Sequence, residues 1–409
     1  MAWFPCNNIE EKDGRLYFAS QSVEKLARQY GTPLYLMDEA RIRKNCRTYT
    51  EAFKKNFKEG SRPYFASKAC CFKAIYPILE EEGMGADVVS LGELLTAKAA
   101  GFPMEDLCFH GNSKTDEDIR TALDLSVGCI VADNAEELCV INNEAEKRNI
   151  KQKILLRLTP GIDPHTYAAV ATGKVDSKFG AAIETGQAEE LTKIALSLPH
   201  LDLHGFHCHV GSQVFAEDVF ERAAVVMLTF CADMQKKYGF VTRELDLGGG
   251  YGVPYVESDP AIDIAARIGD VAETIHKTCE TLNIPEPIIG MEPGRSIVAD
   301  AGLTVYTVQT VKTIPGYKNY VAMDGGMADN PRFALYGSRY TCLPVSGLNK
   351  PFSFTADLVG RCCESGDVIR KDVPFPSDIK RGDLVAVCTT GAYNFPCPAT
   401  TTVFSARPS

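Results

Sequence analysis

Two absences narrow the classes to which this 409-residue chain can belong. No uninterrupted apolar run approaches the roughly 18 residues that a membrane-spanning helix needs, so we expect no membrane partner. Basic residues are not in excess, since 43 lysines and arginines stand against 53 aspartates and glutamates, giving a formal net charge of −10. Nucleic-acid binding normally needs a basic face, so we expect no nucleic-acid partner.

The N-terminus and the cysteines lack the marks of an exported protein. MAWFPCNNIEEKDG has no basic start followed by an apolar stretch, and it is not Arg-rich and acid-poor, so we expect a cytoplasmic location. The 15 cysteines are odd in number and irregularly spaced, without a CxxC ladder, which argues against a disulfide framework or a structural zinc site. We expect most of them to be small buried side chains.

What is present indicates a large globular fold. Hydrophobic residues make up 45% and charged residues 23% of the chain, as in globular proteins. Its length exceeds what one ordinary core organises, so we expect one large barrel or two domains. Apolar runs suited to buried strands recur: PYFAS (63–67), ADVVS (86–90), LCFHG (107–111), CIVAD (129–133), ILLRL (154–158), LHGFHCHV (203–210), ELDLG (244–248) and IIGME (288–292).

The segments between these runs have the 3–4 spacing of amphipathic helices, for example GELLTAKAAG and DEDIRTALDL. Alternation of strand and helix is typical of parallel βαβ units. We therefore predict an α/β fold, a (β/α)8 TIM-type barrel over residues 35–300, with a doubly wound sheet as the alternative. After about residue 300, β-branched runs separated by Gly, Pro and Asp predict an antiparallel β-barrel or sandwich domain, formed by 301–409 together with 1–34.

In a TIM-type barrel, catalytic groups lie at the C-terminal ends of the strands. Those ends carry Lys68, Asp87, Arg157, His207, His209, Gly248, Gly249, Gly250 and Glu292. Lys68, after the buried run YFAS, is either a lysine that extends its amine into solvent or a partly desolvated amine suited to binding a carbonyl cofactor.

Two motifs on this rim have alternative interpretations. The triplet in GGGYG (248–252) is either a turn or a cradle of backbone N–H groups for a phosphate, and it lacks the GxGxxG spacing of a dinucleotide site. HCHVGSQ (207–213) places His207 and His209 on one face of a strand. Two histidines without a nearby acid make a poor metal site, so we predict no metal, and favour a histidine stacked on a planar cofactor with Ser212 on its phosphate.

A second polar cluster lies in the predicted β-domain, in MDGGMADNPRFALYGSRY (323–340), GRCCESGD (360–367) and GAYNF (391–395). A solvated loop would explain its charges but not its glycines and aromatic residues. Arginine suits a substrate carboxylate and glutamate suits an ammonium group, so the cluster fits a zwitterionic dicarboxylic substrate.

Taken together, these motifs resemble the fold-type III decarboxylases that depend on pyridoxal 5'-phosphate, and within them the branch that acts on diaminopimelate. The resemblance runs from about residue 10 to Phe395 and implies an alanine-racemase-like barrel followed by a β-domain. It implies that Lys68 binds the cofactor covalently, that His209 stacks on its ring and that Glu292 faces its ring nitrogen. The implied cofactor-binding set is Lys68, Asp87, Arg157, His209, Ser212, Gly249, Gly250, Glu292, Pro293, Gly294, Arg295 and Tyr393.

The resemblance also implies a substrate-binding set and a shared site. The implied substrate contacts are Arg295, Arg332, Tyr336, Glu364 and Tyr393. Cys363, in the CES motif, matches the acid that protonates the carbanion, which makes Lys68, His209 and Cys363 the implied catalytic residues. In this family the cysteine comes from the neighbouring subunit, so the resemblance implies a homodimer with shared active sites. Cys362 is expected to be a bystander.

Arg332, Gln213 and the Cys-Glu-Ser triplet favour meso-2,6-diaminopimelate as substrate, with L-lysine and carbon dioxide as products in the last step of lysine biosynthesis. The alternatives are a decarboxylase of ornithine, arginine or a carboxylated polyamine, a racemase on the same barrel, and an inactive regulatory homologue. Two departures from the family stand out. Cys70 replaces its usual asparagine, and the tail PCPATTTVFSARPS replaces a Met-x-Ser-Asn-Tyr-Asn-like stretch. For this tail we hypothesise a frameshift near residue 396, either a sequencing artefact or a real lesion, with natural divergence as the alternative.

Overall fold

The computed structural model describes residues 3–163, 166 and 172–394, and the backbone of 401–404. The rest of the tail for which we hypothesise a frameshift lies outside the described residues. The chain divides into two compact units, which we call the barrel unit (46–252 and 262–294) and the β-rich unit (1–45, 253–261 and 295 onward). The sequence-based boundaries were 34/35 and 300/301. The segment up to 45 groups with the β-rich unit because its strand Leu34–Asp38 pairs with Gly302–Ile314.

The strands, in chain order, are β1 Ile9–Lys12, β2 Arg15–Phe18, β3 Gln21–Ser22, β4 Leu34–Asp38, β5 Arg62–Ala66, β6 Gly85–Val88, β7 Leu107–Phe109, β8 Cys129–Ala132, β9 Gln152–Thr159, β10 Ala181–Ala182, β11 Leu201–Cys208, β12 Glu244–Asp246, β13 Ile288–Met291, β14 Gly302–Ile314, β15 Lys318–Met323, β16 Cys342–Pro344, β17 Phe354–Val359, β18 Val368–Phe375, β19 Leu384–Cys388 and β20 Thr401–Phe404. The helices are α1 Val23–Tyr30, α2 Glu39–Asn56, α3 Ile75–Glu81, α4 Leu91–Ala100, α5 Asp116–Asp124, α6 Ala135–Lys147, α7 Gln187–Ser197, α8 Val219–Tyr238, α9 Ile264–Leu282, α10 Arg295–Val298 and α11 Arg332–Tyr336.

Eight parallel strands close into a barrel in the order β9, β11, β12, β13, β5, β6, β7 and β8, with β8 pairing back to β9 and the short β10 beside β9. Each apolar run assigned to a buried strand coincides with one of these eight. The predicted (β/α)8 barrel is confirmed, and the doubly wound alternative is wrong because β8 closes on β9.

Four helices of the barrel unit, α4, α5, α6 and α9, begin at side-chain caps. The side chain of Ser90 accepts the backbone N–H of Glu93 before α4, and that of Asn134 accepts the N–H of Glu137 before α6. Thr115 and Asp118 form a reciprocal capping box at the start of α5. Strands therefore end on the rim where the following helices start, and the rim gathers the polar side chains described below.

The sheet of the β-rich unit runs in the order β16, β19, β14, β15, β17 and β18, and β14 also pairs with β4. Most pairs are antiparallel, as predicted, but β20 is parallel to β4, and β15 is parallel to β17. The long segment 324–353 between them provides the crossover that a parallel pair requires. A separate antiparallel sheet joins β1, β2 and β3.

Most of the described cysteines are buried, and all of those described are free thiols. Among the helices in the described ranges, none combines the length and apolar character that a membrane crossing needs.

Candidate active site

Lys68 and Asp87 meet at the C-terminal ends of adjacent barrel strands. Lys68 lies in the tight turn Ser67–Ala69 directly after β5, and its Nζ donates to Oδ2 of Asp87 on β6 at 2.9 Å. Asp87 is fully buried, whereas the lysine side chain is 35% exposed. A buried carboxylate therefore fixes the amine of a partly exposed side chain, which differs from a lysine that only extends into solvent.

Glu292 directly follows β13 and lies between two imidazoles. Its Oε2 is 3.2 Å from Nε2 of His207 on β11, and its Oε1 is 2.7 Å from Nε2 of His110, which directly follows β7. The His110 contact is not aligned for a hydrogen bond, so within the described residues Oε1 keeps hydrogen-bonding capacity for another donor. All three side chains are buried.

Burial and the neighbouring charges set the ionisation of this group. Burial lowers the pKa of His207 to about 4. Burial alone would raise the pKa of Glu292, but His110 and His207 outweigh it and hold that pKa well below its ordinary value. Burial, reinforced by the charge of Glu292, raises the pKa of Asp246 well above its ordinary value. Negative charge at this point of the barrel is therefore placed on Glu292.

The same three side chains offer metal-ligand atoms that lie within 4.8 Å of one another. Two imidazoles and one carboxylate are a donor set that zinc uses. Geometry alone therefore permits either a cation or the protonated nitrogen of an organic cofactor at Glu292.

The glycine triplet packs backbone against backbone beside these groups. The N–H of Gly249 donates to Nδ1 of His209 at 3.2 Å, and burial, reinforced by Lys68, lowers the pKa of His209 well below its ordinary value. A Cβ on Gly249 would lie 2.0 Å from the carbonyl oxygen of Glu292, and one on Gly250 would lie 2.1 Å from that of Gly211. Only glycine therefore fits at positions 249 and 250. The ring of His209 beside them is neutral.

Other predicted rim residues lie around this core. The N–H of Val214, two residues after Ser212, donates to the carbonyl of Gly250 at 2.9 Å, so the SQV segment runs beside the glycine loop. The N–H of Ala66 donates to the carbonyl of Pro293 at 3.0 Å, and Gly294 packs against Ala66 and Ala69. Arg157, on β9, places its guanidinium carbon 4.4 Å from the centroid of the Phe179 ring.

In the β-rich unit, two buried arginines cluster with the buried Tyr255 and the exposed Tyr393. Nη1 of Arg295 donates to the hydroxyl of Tyr255 at 2.7 Å, and its guanidinium carbon lies 4.7 Å from the centroid of the Tyr393 ring. Arg332, at the start of α11, places its guanidinium carbon 3.9 Å from the centroid of the Tyr255 ring. The structure thus brings together three of the predicted substrate contacts, Arg295, Arg332 and Tyr393, while Tyr336 ends α11.

Cys363 and Glu364 are exposed on the loop between β17 and β18. Asp367 anchors this loop, because its buried carboxylate accepts the N–H of Met327 at 2.6 Å and that of Cys362 at 2.8 Å. A hydrogen bond to Asp367 also raises the pKa of the Cys362 thiol. Cys363 is thus presented outward from an ordered turn, beside a second cysteine with a different environment.

A family model for the pyridoxal-binding domain of the pyridoxal-dependent decarboxylases matches residues 39–299. The chain belongs to the pyridoxal-dependent decarboxylase family.

Individual members of the family match most of the chain. A diaminopimelate decarboxylase of Bacillus subtilis is 40% identical over 386 residues, covering 94% of this chain and 88% of the relative. Among solved structures, diaminopimelate decarboxylase of M. jannaschii in complex with L-lysine matches with a TM-score of 0.85 and 32% identity, covering 95% of this chain and 88% of that one. The Helicobacter pylori enzyme with L-lysine matches with a TM-score of 0.81 and 32% identity, covering 91% and 89%.

The barrel residues of this pyridoxal-dependent decarboxylase fit its cofactor. Oε1 of Glu292 and Oδ1 of Asp87 are buried and have no hydrogen-bond partner within the described residues. A protonated ring nitrogen would supply a donor of the kind that a buried carboxylate oxygen requires, and an amine such as that of Lys68 suits an aldehyde carbon. The donor chemistry of the site therefore agrees with pyridoxal 5'-phosphate.

Three residues of these clusters, His110, Tyr255 and Asp367, were not predicted from the sequence. His110 could have been found, because it stands at the end of the run LCFHG and the rule that selected the other rim residues applies to it. Tyr255 and Asp367 carried no such signal. Their roles depend on which loops pack together, and the spacing along the chain does not show that.

Proposed function

We propose that this chain decarboxylates meso-2,6-diaminopimelate at its D-configured centre, giving L-lysine and carbon dioxide. Relatives about 40% identical are named diaminopimelate decarboxylase, and two matched structures hold L-lysine. The observation that carries the substrate assignment is the buried Arg332, which packs on Tyr255 beside Arg295. Such arginines supply the donors that the carboxylate retained in L-lysine would need.

Pyridoxal 5'-phosphate, when bound, supplies the electron sink that accepts the electron pair left as carbon dioxide departs. Lys68 would hold it through its amine, Glu292 would face its ring nitrogen and His209 would stack on its ring. Its phosphate and remaining edges would be held by Ser212, Gly249, Gly250, Gly294, Arg295 and Tyr393, with Asp87, Arg157 and Pro293 completing the binding set.

The chain's own groups prepare this chemistry. Glu292 is ionised because the two imidazoles outweigh its burial, so it favours a proton on the nitrogen that faces it. Asp87 holds the Lys68 amine at 2.9 Å and so fixes where that amine meets a carbonyl carbon. His209 is neutral and therefore adds no positive charge beside the ring.

Cys363 donates the proton that replaces the lost carboxyl group, and Glu364 binds the substrate's distal ammonium. We further propose that Cys363 of one protomer serves the site of the other in a homodimer. Its exposure on a loop anchored by Asp367 supports this role, because an outward-facing thiol on an ordered turn is available to a second copy. The cytoplasmic location expected from the sequence stays part of this proposal.

The experiment compares substrates across two arginine variants. Carbon dioxide release is measured from meso-diaminopimelate, L-ornithine and L-arginine with the wild type, Arg332→Ala and the control Arg339→Ala. Arg339 is exposed and only seven residues further along the chain. We expect diaminopimelate to be preferred, and Arg332→Ala to lose roughly 100-fold or more in kcat/KM through a lost charged contact while retaining cofactor absorbance. Preference for L-ornithine, or unchanged kcat/KM in Arg332→Ala, contradicts the assignment.

A further inference from the structure

Tyr255 lies at the centre of the arginine cluster in the β-rich unit. Its hydroxyl accepts a hydrogen bond from Arg295 at 2.7 Å. The guanidinium carbon of Arg332 lies 3.9 Å from the centroid of the same ring. Only 1% of the tyrosine is exposed, and both arginines are buried. One side chain therefore contacts two buried cations, each through a different part of its surface.

The tyrosine itself is held from several sides. Its backbone N–H donates to Oδ2 of Asp259 at 2.8 Å, and its carbonyl accepts from the hydroxyl of Thr341 at 2.8 Å. Its ring makes an edge contact with Tyr340, with centroids 5.9 Å apart and planes at 65°. These contacts come from its own segment, 253–261, and from residues 340–341 directly before β16, so the ring is a fixed surface.

We propose that Tyr255 is the positioning residue that orients Arg295 and Arg332 together for the substrate carboxylate retained in the product. This inference rests on the proposed function and deepens it, since neither the resemblance nor the rim positions had singled out Tyr255.

The chemistry of a tyrosine suits this task. Two guanidinium groups brought close together repel each other, and the repulsion grows when water is excluded. A phenol places an acceptor oxygen toward one cation and the negative face of its ring toward the other, so it stabilises both without adding a formal charge. Because a guanidinium binds a carboxylate through a planar fork, the orientation of each arginine decides how well the pair fits.

The ionisation of Arg295 agrees with this role. Burial alone would lower the pKa of its guanidinium, but Tyr255 and Tyr393 outweigh that effect, and the pKa lies above its ordinary value. The contacts with the tyrosines therefore offset the cost of burying this guanidinium.

The experiment measures binding to the protein loaded with pyridoxal 5'-phosphate. Calorimetric titration gives Kd for L-lysine, which retains the carboxylate, and for 1,5-diaminopentane, the same amine chain without it. Tyr255→Phe removes only the hydroxyl, and Tyr255→Leu removes the ring as well. The matched control is Tyr251→Phe, a buried tyrosine whose hydroxyl has no hydrogen-bond partner within the described part of the chain.

We expect Tyr255→Phe to raise Kd for L-lysine roughly tenfold, as the loss of a hydrogen bond to a charged group does, and Tyr255→Leu to raise it further. Kd for 1,5-diaminopentane should change less than about twofold in both, and Tyr251→Phe should match the wild type. In turnover, KM for diaminopimelate should rise while kcat changes little, which a general loss of structure would not produce.

Equal L-lysine affinity in wild type and Tyr255→Phe overturns the role of Tyr255, as does a parallel loss for both ligands. Should Tyr255→Leu fail to fold, the phenylalanine variant decides alone. Wild-type protein that binds L-lysine but releases no carbon dioxide from diaminopimelate contradicts the proposed function instead, so the two failures are distinguishable.

Discussion

Replacing Glu292 by glutamine tests the buried charge that we propose faces the ring nitrogen of the cofactor. The substitution keeps size and shape but removes the negative charge that lies 3.2 Å from His207 and 2.7 Å from His110. A hydrogen bond to a charged group contributes about 1.5–3 kcal/mol, against about 0.5–1.5 kcal/mol for a neutral one. With one aligned bond to His207 and a second close contact to His110, the free energy of unfolding should fall by roughly 2 kcal/mol.

The effect on activity should be larger than the effect on stability. If Glu292 faces the ring nitrogen as proposed, an amide there would not favour a proton on that nitrogen, and the bound cofactor would be a weaker electron sink. Removing one preorganised electrostatic group typically costs about 100- to 1000-fold in kcat, and we expect Glu292→Gln to fall in that range with KM nearly unchanged.

The assay combines carbon dioxide release, urea unfolding and the absorbance of bound cofactor. Glu221→Gln, on α8 outside the clusters described above, is the matched control and should retain wild-type kcat. If Glu292→Gln binds cofactor and keeps kcat within about threefold of wild type, a neutral side chain suffices there, and the electrostatic argument is wrong.

Two further predictions concern pH and the Cys363 loop. Because burial lowers the pKa of His207 to about 4 from the ordinary 6.5, the unfolded chain binds a proton that the folded barrel does not. The contribution of His207 to the free energy of unfolding is therefore fully present above pH 6.5, and about 3 kcal/mol of it should be lost between pH 7 and pH 4. Urea unfolding across this pH range should show a smaller loss in His207→Gln than in the wild type. A misplaced catalytic group loses rate steeply, so Asp367→Asn, which weakens the anchor of the Cys363 loop, should lower kcat roughly tenfold or more. Cys362→Ser should not lower kcat. If Asp367→Asn and Cys362→Ser lower kcat equally, the loop contributes only to stability.

The barrel could be read from the sequence because its strands are buried on both faces. Runs such as PYFAS and IIGME stand out against amphipathic helices, and all eight appear as strands. The rim rule then selected Lys68 and Glu292, since parallel strands end on one side of the barrel. In this barrel, the residue that ends an apolar run in the sequence is therefore also a residue of the rim.

The sequence was less informative about strand pairing and about residues whose position depends on how loops pack. Periodicity does not encode which strands pair, so the parallel pairing of β15 with β17 was not predicted. Tyr255 follows the glycine triplet by a few residues, yet its segment groups with the β-rich unit rather than with the barrel. Asp367 looked like a turn residue, because only the folded loop shows that it accepts N–H groups from two segments.

We propose that Lys68, held by Asp87, carries the cofactor with which this chain decarboxylates meso-diaminopimelate. The most direct measurement incubates pyridoxal phosphate-loaded wild type and Lys68→Ala with carboxyl-labelled meso-diaminopimelate, and quantifies labelled carbon dioxide and L-lysine. We expect equimolar carbon dioxide and L-lysine from the wild type, and loss of both products together with the cofactor's bound absorbance band in Lys68→Ala. Absence of carbon dioxide from the wild type, or undiminished release by Lys68→Ala, would contradict this proposal.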